Sequence, residues 1–160
     1  MAIKVGDQIP AMDLTTMTAD GPAPLATADY FAGRKVAIFS VPGAFTPTCS
    51  AKHLPGFVEQ ANDLKAKGID EIACFSVNDV FVMHAWGESA SASGKVTMLA
   101  DGNAAFAKAL GLDADFSGFG MGIRSQRFSM IVDNGVVSHL NVEEPGAFNV
   151  SSAEYMLGQL

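Results

Sequence analysis

Hydrophobic positions along this chain fall into short unbroken runs, separated by stretches in which they recur every three or four residues. Lys35–Val41 and Ile69–Val77 are runs of strand length, the pattern of strands covered on both faces. Between them the sequence predicts a helix over 48–67, with Pro55-Gly56 in its interior where a kink is expected. Asn78-Asp79 ends the second strand, and Val80–Ser91 reads as a helix, with Phe81, His84, Ala85 and Glu88 at helical spacing. Val96–Leu99 is a short strand closed by Asp101-Gly102, and Ala104–Leu110 is a helix stopped by Gly111. The last third changes character. Gln126–Val132 and Val136–Val142 flank Asp133-Asn134-Gly135, a strong hairpin signal because Asn-Gly accommodates the positive φ of a tight turn. Ser151, with Glu154 three residues on, predicts a capping box opening a final helix. The order specifies an α/β fold with a mixed central sheet flanked by helices.

Composition narrows the class. At 160 residues, with 49% of them apolar, the chain is long enough for one substantial core, and no linker or repeat divides it, so residues 1–160 read as a single domain. No apolar run approaches the ~20 residues of a membrane helix, and the first residues lack the apolar stretch of a signal peptide. The expectation is a soluble, cytoplasmic protein with no membrane partner. A formal net charge of −7 argues against nucleic acid as a partner. Two cysteines are too few for a disulfide framework and do not form a Cys-x-x-Cys pair. Three scattered histidines have no metal-ligand spacing, so neither a metal nor another cofactor is expected.

The chemistry concentrates in Val41-Pro-Gly-Ala-Phe-Thr-Pro-Thr-Cys49, which puts a thiol in the first turn of the predicted helix, directly after a strand. Thr46 reads as the N-cap and Pro47 as the first helical residue. A sulfur there faces unpaired N–H groups at the positive end of the helix dipole, which favours its anionic, nucleophilic form. Such a sulfur should also be open to a small oxidant. Arg124 and Arg127 are the candidate cations beside it. His53, four residues after Cys49 on the same helical face, reads as a capping or packing residue rather than a base. The Gly-rich run Ser117–Gly122 lacks the strand and helix that would flank a phosphate cradle, and is a loop.

Pro42, Thr46 and Cys49 fit Pro-x-x-x-Thr-x-x-Cys, which resembles the active-site signature of the peroxiredoxins. Lys52-His-Leu-Pro-Gly-Phe57, Phe75-Ser-Val-Asn-Asp79 and Arg127-Phe-Ser-Met130 resemble the subgroup of plant type II, many bacterial and the fifth mammalian peroxiredoxins. The resemblance implies a thioredoxin-like fold and a thiol peroxidase reducing hydrogen peroxide and alkyl hydroperoxides through a Cys49 sulfenic acid. It also implies a homodimer, Arg127 as the active-site guanidinium, Thr46 as a partner of the peroxide, and an apolar collar that Phe45, Phe119 and Met121 would supply. Pro42 would pack over the sulfur and limit water.

Cys74 lies in the apolar strand Ile72–Val77, where it is either an inert buried thiol or a resolving cysteine. Some relatives resolve with a cysteine near the C-terminus, but Asn149-Val150-Ser151 offers none. An external thiol (glutathione, glutaredoxin or thioredoxin) is therefore the expected reductant for at least part of turnover. The competing readings are a thiol–disulfide oxidoreductase and a peroxide-sensing thiol switch.

Overall fold

In the computed structural model, which describes residues 1–160, seven strands form one mixed sheet in the order β2-β1-β5-β4-β3-β8-β9. These are β1 (Asp13–Thr18), β2 (Gly21–Ala26), β3 (Lys35–Ser40), β4 (Glu71–Ser76), β5 (Thr97–Ala100), β8 (Phe128–Asp133) and β9 (Val136–Val142). β3 pairs parallel with β4 and antiparallel with β8, so it lies inside the sheet with every backbone group committed to a neighbour. A short second ribbon pairs β6 (Asp113–Asp115) with β7 (Ile123–Ser125), and the predicted Gly-rich loop is its turn.

The unbroken apolar run of β3 is explained by its position. Ala37 and Phe39 face one core with Phe57, Met83, Trp86 and Met156, while Val36 and Ile38 face the other with Phe75, Phe106 and Phe128. Each fully buried phenylalanine contributes roughly 2–3 kcal/mol by transfer from water. The helices covering these faces are α1 (Thr27–Tyr30), α2 (Leu54–Glu59), α3 (Ala61–Ala66), α4 (Val80–Ser89), α5 (Ala105–Leu110) and α6 (Ala153–Gln159).

Two local expectations change, and one hairpin is added. The segment 48–67 does not bend at Pro55-Gly56: a π-helical turn over Cys49–His53 leads into α2, and the break falls at Gln60, between α2 and α3. Leu54 N donates to Cys49 O across the wide turn, and Pro55, with no N–H to give, follows at once. The cap of α6 is Ser152, whose hydroxyl accepts from Tyr155 N at 3.0 Å, and Ser151 is engaged elsewhere. The hairpin β1–β2 was not signalled, because its second strand, Gly-Pro-Ala-Pro-Leu-Ala, carries two prolines, which an edge strand tolerates.

Candidate active site

The site forms where β3 ends and the chain turns into the π-helical segment. Phe45 holds a left-handed φ of 63° in that turn, a conformation uncommon for a non-glycine residue. Several contacts hold it. Asn78 Oδ1 accepts from Ala44 N at 2.9 Å and from Ser76 Oγ at 2.7 Å, and Ser76 Oγ also lies 3.2 Å from Val41 O. Arg124 donates from Nε to Met121 O at 2.9 Å and from Nη1 to Pro42 O at 3.3 Å. A Cβ at Gly43 would lie only 3.0 Å from Arg124 Nη1, so the glycine permits this close approach. Arg124 thus braces the turn and donates to backbone carbonyls.

Thr46 O accepts from Ser50 N at 2.9 Å, the backbone half of an N-cap. Its hydroxyl does not complete the cap. Oγ1 lies 2.7 Å from Cys49 Sγ and 2.7 Å from Gly43 O. The hydroxyl has one proton, so it donates to one of the two at a time. Arg127 Nη2 donates to the same sulfur at 3.0 Å, and Nη1 donates to His53 Nδ1 at 2.9 Å. The planar fork spans both targets, which a lysine ammonium does not reproduce.

His53 does more than the predicted packing. It is fully buried, tilted against the Phe39 ring and edge-on to Phe148, with Nε2 2.9 Å from Ser151 O. Burial and then the adjacent Arg127 charge pull its pKa from 6.5 down to about 3. The neutral ring that results accepts at Nδ1 from Arg127 and donates from Nε2 to Ser151 O, one tautomer satisfying both contacts. The helical spacing Cys49-x-x-x-His53 was its visible signal. Phe148, whose ring lies 5.8 Å from the Arg127 guanidinium carbon, left no signal of its own.

Cys49 itself is 0% exposed, which corrects the expectation of an open sulfur. Beside it is a cavity of about 520 Å³ that shares Arg127 with the sulfur and is also lined by Pro42 and Thr48. Those three residues are half-buried, and Cys49 itself is not among the residues that line the cavity. Of the proposed collar, Phe119 lines the cavity, joined by Phe116, which the sequence did not single out. Phe45 does not line it: its ring turns toward Trp86, 6.5 Å away, and is 54% exposed. Met121 does not line it either, and instead packs close to Gly43.

Cys74 is on β4, paired with Phe39 on one side and Met98 on the other, and is fully buried in the same core as Cys49. Burial pushes its thiol pKa well up, the neighbouring Cys49 sulfur adds to this, and Arg127 opposes it weakly. Both cysteines are free thiols.

A sulfur held by a hydroxyl and a guanidinium, at a helix start after a sheet strand of a thioredoxin-like fold, defines a thiol-based redox protein. The comparisons make this specific. The Redoxin family matches residues 4–157. A chloroplastic peroxiredoxin-2E-2 of Oryza sativa is 53% identical over 99% of this chain and 72% of its own length. Peroxiredoxin-2B of Arabidopsis thaliana is 49% identical over 99% of this chain and 98% of its own. The crystal structure of reduced Prx3 from Vibrio vulnificus in complex with hydrogen peroxide superposes with a TM-score of 0.95 at 54% identity, covering 98% of each chain. The chain belongs to the peroxiredoxins, within the Redoxin family. Its activity is that of a thiol-dependent peroxidase.

Proposed function

We propose that Cys49 is the sulfur that reduces the peroxide. The observation carrying this reading is the convergence of Thr46 and Arg127 on Cys49 Sγ, with Arg127 also facing the cavity. The thiolate attacks one peroxide oxygen; the S–O bond forms as the O–O bond breaks, and the other oxygen leaves as alkoxide or hydroxide and takes a proton. Cys49 is oxidised to a sulfenic acid and the peroxide is reduced to an alcohol or water. Negative charge passes from sulfur to the leaving oxygen, and the Arg127 fork and the Thr46 hydroxyl are fixed donors along that path. Pro42, on the cavity wall, offers no donor and restricts water there. Phe119 gives the cavity an apolar wall, which suits small alkyl hydroperoxides as well as hydrogen peroxide.

We further propose that an external thiol recycles the enzyme: glutathione, glutaredoxin or thioredoxin. The thiol displaces water from the sulfenic acid to form a mixed disulfide, and a second thiol releases Cys49 as it forms its own disulfide. The position of Cys74 in an interior strand favours this, because a Cys49–Cys74 bond would have to disturb the β3–β4 ladder. Intact mass of the peroxide-treated protein, with and without glutathione, reads the outcome directly. A sulfenic adduct alone and a single glutathione adduct on addition are expected, with Cys74→Ser behaving like the native protein and Cys49→Ser giving neither. An internal disulfide, or loss of turnover in Cys74→Ser with every reductant, would make Cys74 the resolving residue. Oxidation persisting in Cys49→Ser would remove Cys49 from the chemistry.

A homodimer is the assembly we propose. Phe45 and Phe81 are 54% and 64% exposed on adjoining segments tied by the Ala44–Asn78 hydrogen bond. Two large apolar side chains at one edge favour cover by a second copy. Sedimentation at micromolar concentration should return the mass of two chains, falling toward one with Phe81→Glu; a monomer throughout refutes it.

A further inference from the structure

The Cys49–Arg127–His53 chain does not stop at Ser151 O. Ser151 sits in the loop between β9 and α6, and that loop is organised around one carboxylate oxygen. Glu143 Oε2 accepts from Asn149 N, Val150 N and Ser151 N, each at 2.8 Å, and from Ser151 Oγ at 2.7 Å. Glu143 N also donates to Arg127 O at 3.0 Å, joining the same residue to the backbone that carries the guanidinium. Glu143 is 7% exposed, and none of the ion pairs in the chain involves it. Burial alone would raise its pKa, but the donors from Asn149, Ser151 and Val150 outweigh burial and hold it below the usual carboxylate value.

We propose that Glu143 is a positioning residue for peroxide reduction, setting the Arg127 fork through Ser151 and His53; this rests on the assignment of Cys49 as the reacting sulfur. Gathering three consecutive N–H groups onto one oxygen fixes the peptide that follows, and so the direction of Ser151 O. That carbonyl accepts the Nε2 proton of His53, which fixes the ring and presents the lone pair of Nδ1 to Arg127 Nη1. With Nη1 held, Nη2 is aimed at Sγ. Without the carboxylate the loop keeps its chain but loses the shared acceptor, the carbonyl drifts, and the guanidinium is no longer constrained from behind. An isosteric amide keeps an oxygen at that place but not its charge, so all four charge-assisted hydrogen bonds weaken together.

The test is the second-order rate constant for loss of the Cys49 thiol with hydrogen peroxide in a single turnover. It is read by alkylation quench and intact mass, so that no reductant enters. Glu143→Gln is expected to slow the reaction about tenfold in the native background, and less than about twofold in an Arg127→Gln background, because residues acting in one chain are not additive. A loose fold would instead slow both backgrounds by the same factor. A Glu143→Gln rate within about twofold of native, or equal losses in both backgrounds, overturns the proposal. Should Glu143→Gln fail to fold, Ser151→Ala, which deletes one of the four donors, carries the same cycle with about a threefold loss expected. No loss, or equal losses, then overturns it. A Cys49→Ser control that still consumes peroxide would discard the Cys49 assignment itself, a result separate from either.

Discussion

Arg127→Gln should lower the second-order rate constant with hydrogen peroxide by about a hundred- to a thousandfold, the usual cost of losing a preorganised donor to developing charge. Two contacts disappear together. Nη2 no longer donates to Cys49 Sγ, and Nη1 no longer donates to His53 Nδ1. The Thr46 hydroxyl cannot compensate, since its one proton is shared between the sulfur and Gly43 O. Arg127→Lys should fall between the two, because an ammonium restores charge near the sulfur but not the fork. Far-UV circular dichroism should be unchanged, as the guanidinium is half-buried at the cavity and outside the two cores. An Arg127→Gln rate within about twofold of native would take the guanidinium out of the reaction.

Folding stability should fall by about 2–3 kcal/mol between about pH 7 and about pH 4.5 through His53 alone. The sign follows from where the proton binds. The unfolded imidazole titrates at its ordinary 6.5 while the folded one is held near 3, so over that interval the unfolded state binds more protons. The His53 contribution is complete above about 6.5 and is lost as the pH falls toward 3. Glu143, a carboxylate held below its ordinary 4.5, contributes in the same direction toward the acid end, but it is present in both native protein and His53→Gln, so the difference between their pH slopes isolates the histidine. Urea unfolding of native protein and His53→Gln at the two pH values measures it: the variant should be less stable at neutrality and show a flatter pH dependence. Identical pH slopes would sink the prediction.

Much of this molecule is legible in its residues, and the reasons are local. The β3 and β4 runs are apolar on both sides because both faces are covered, and the β8–β9 hairpin is announced by Asn134-Gly135 at its turn. The helix start beside Cys49 is written in Thr46-Pro47. Where local rules were applied alone they misplaced details. Ser151 satisfies a capping spacing, yet its hydroxyl and N–H go to Glu143 and Ser152 caps the helix. Phe45 reads as a collar residue, yet its ring faces Trp86 and does not line the cavity. Glu143 carries no signal at all, because its partners are backbone N–H groups that every residue possesses.

The alternation of strands and helices from β3 to α5, the β8–β9 hairpin, the thiol at a helix start and the kinship of the chain follow from the sequence by itself, since periodicity, turn chemistry and motif spacing are properties of neighbours along the chain. The depth of Cys49, the seclusion of Cys74 and the line from Glu143 through His53 to Arg127 were decided by tertiary structure. They join residues up to 98 positions apart. Such contacts exist only once the sheet brings β3, β8 and the loop after β9 to one place, and their strength comes from the exclusion of water there.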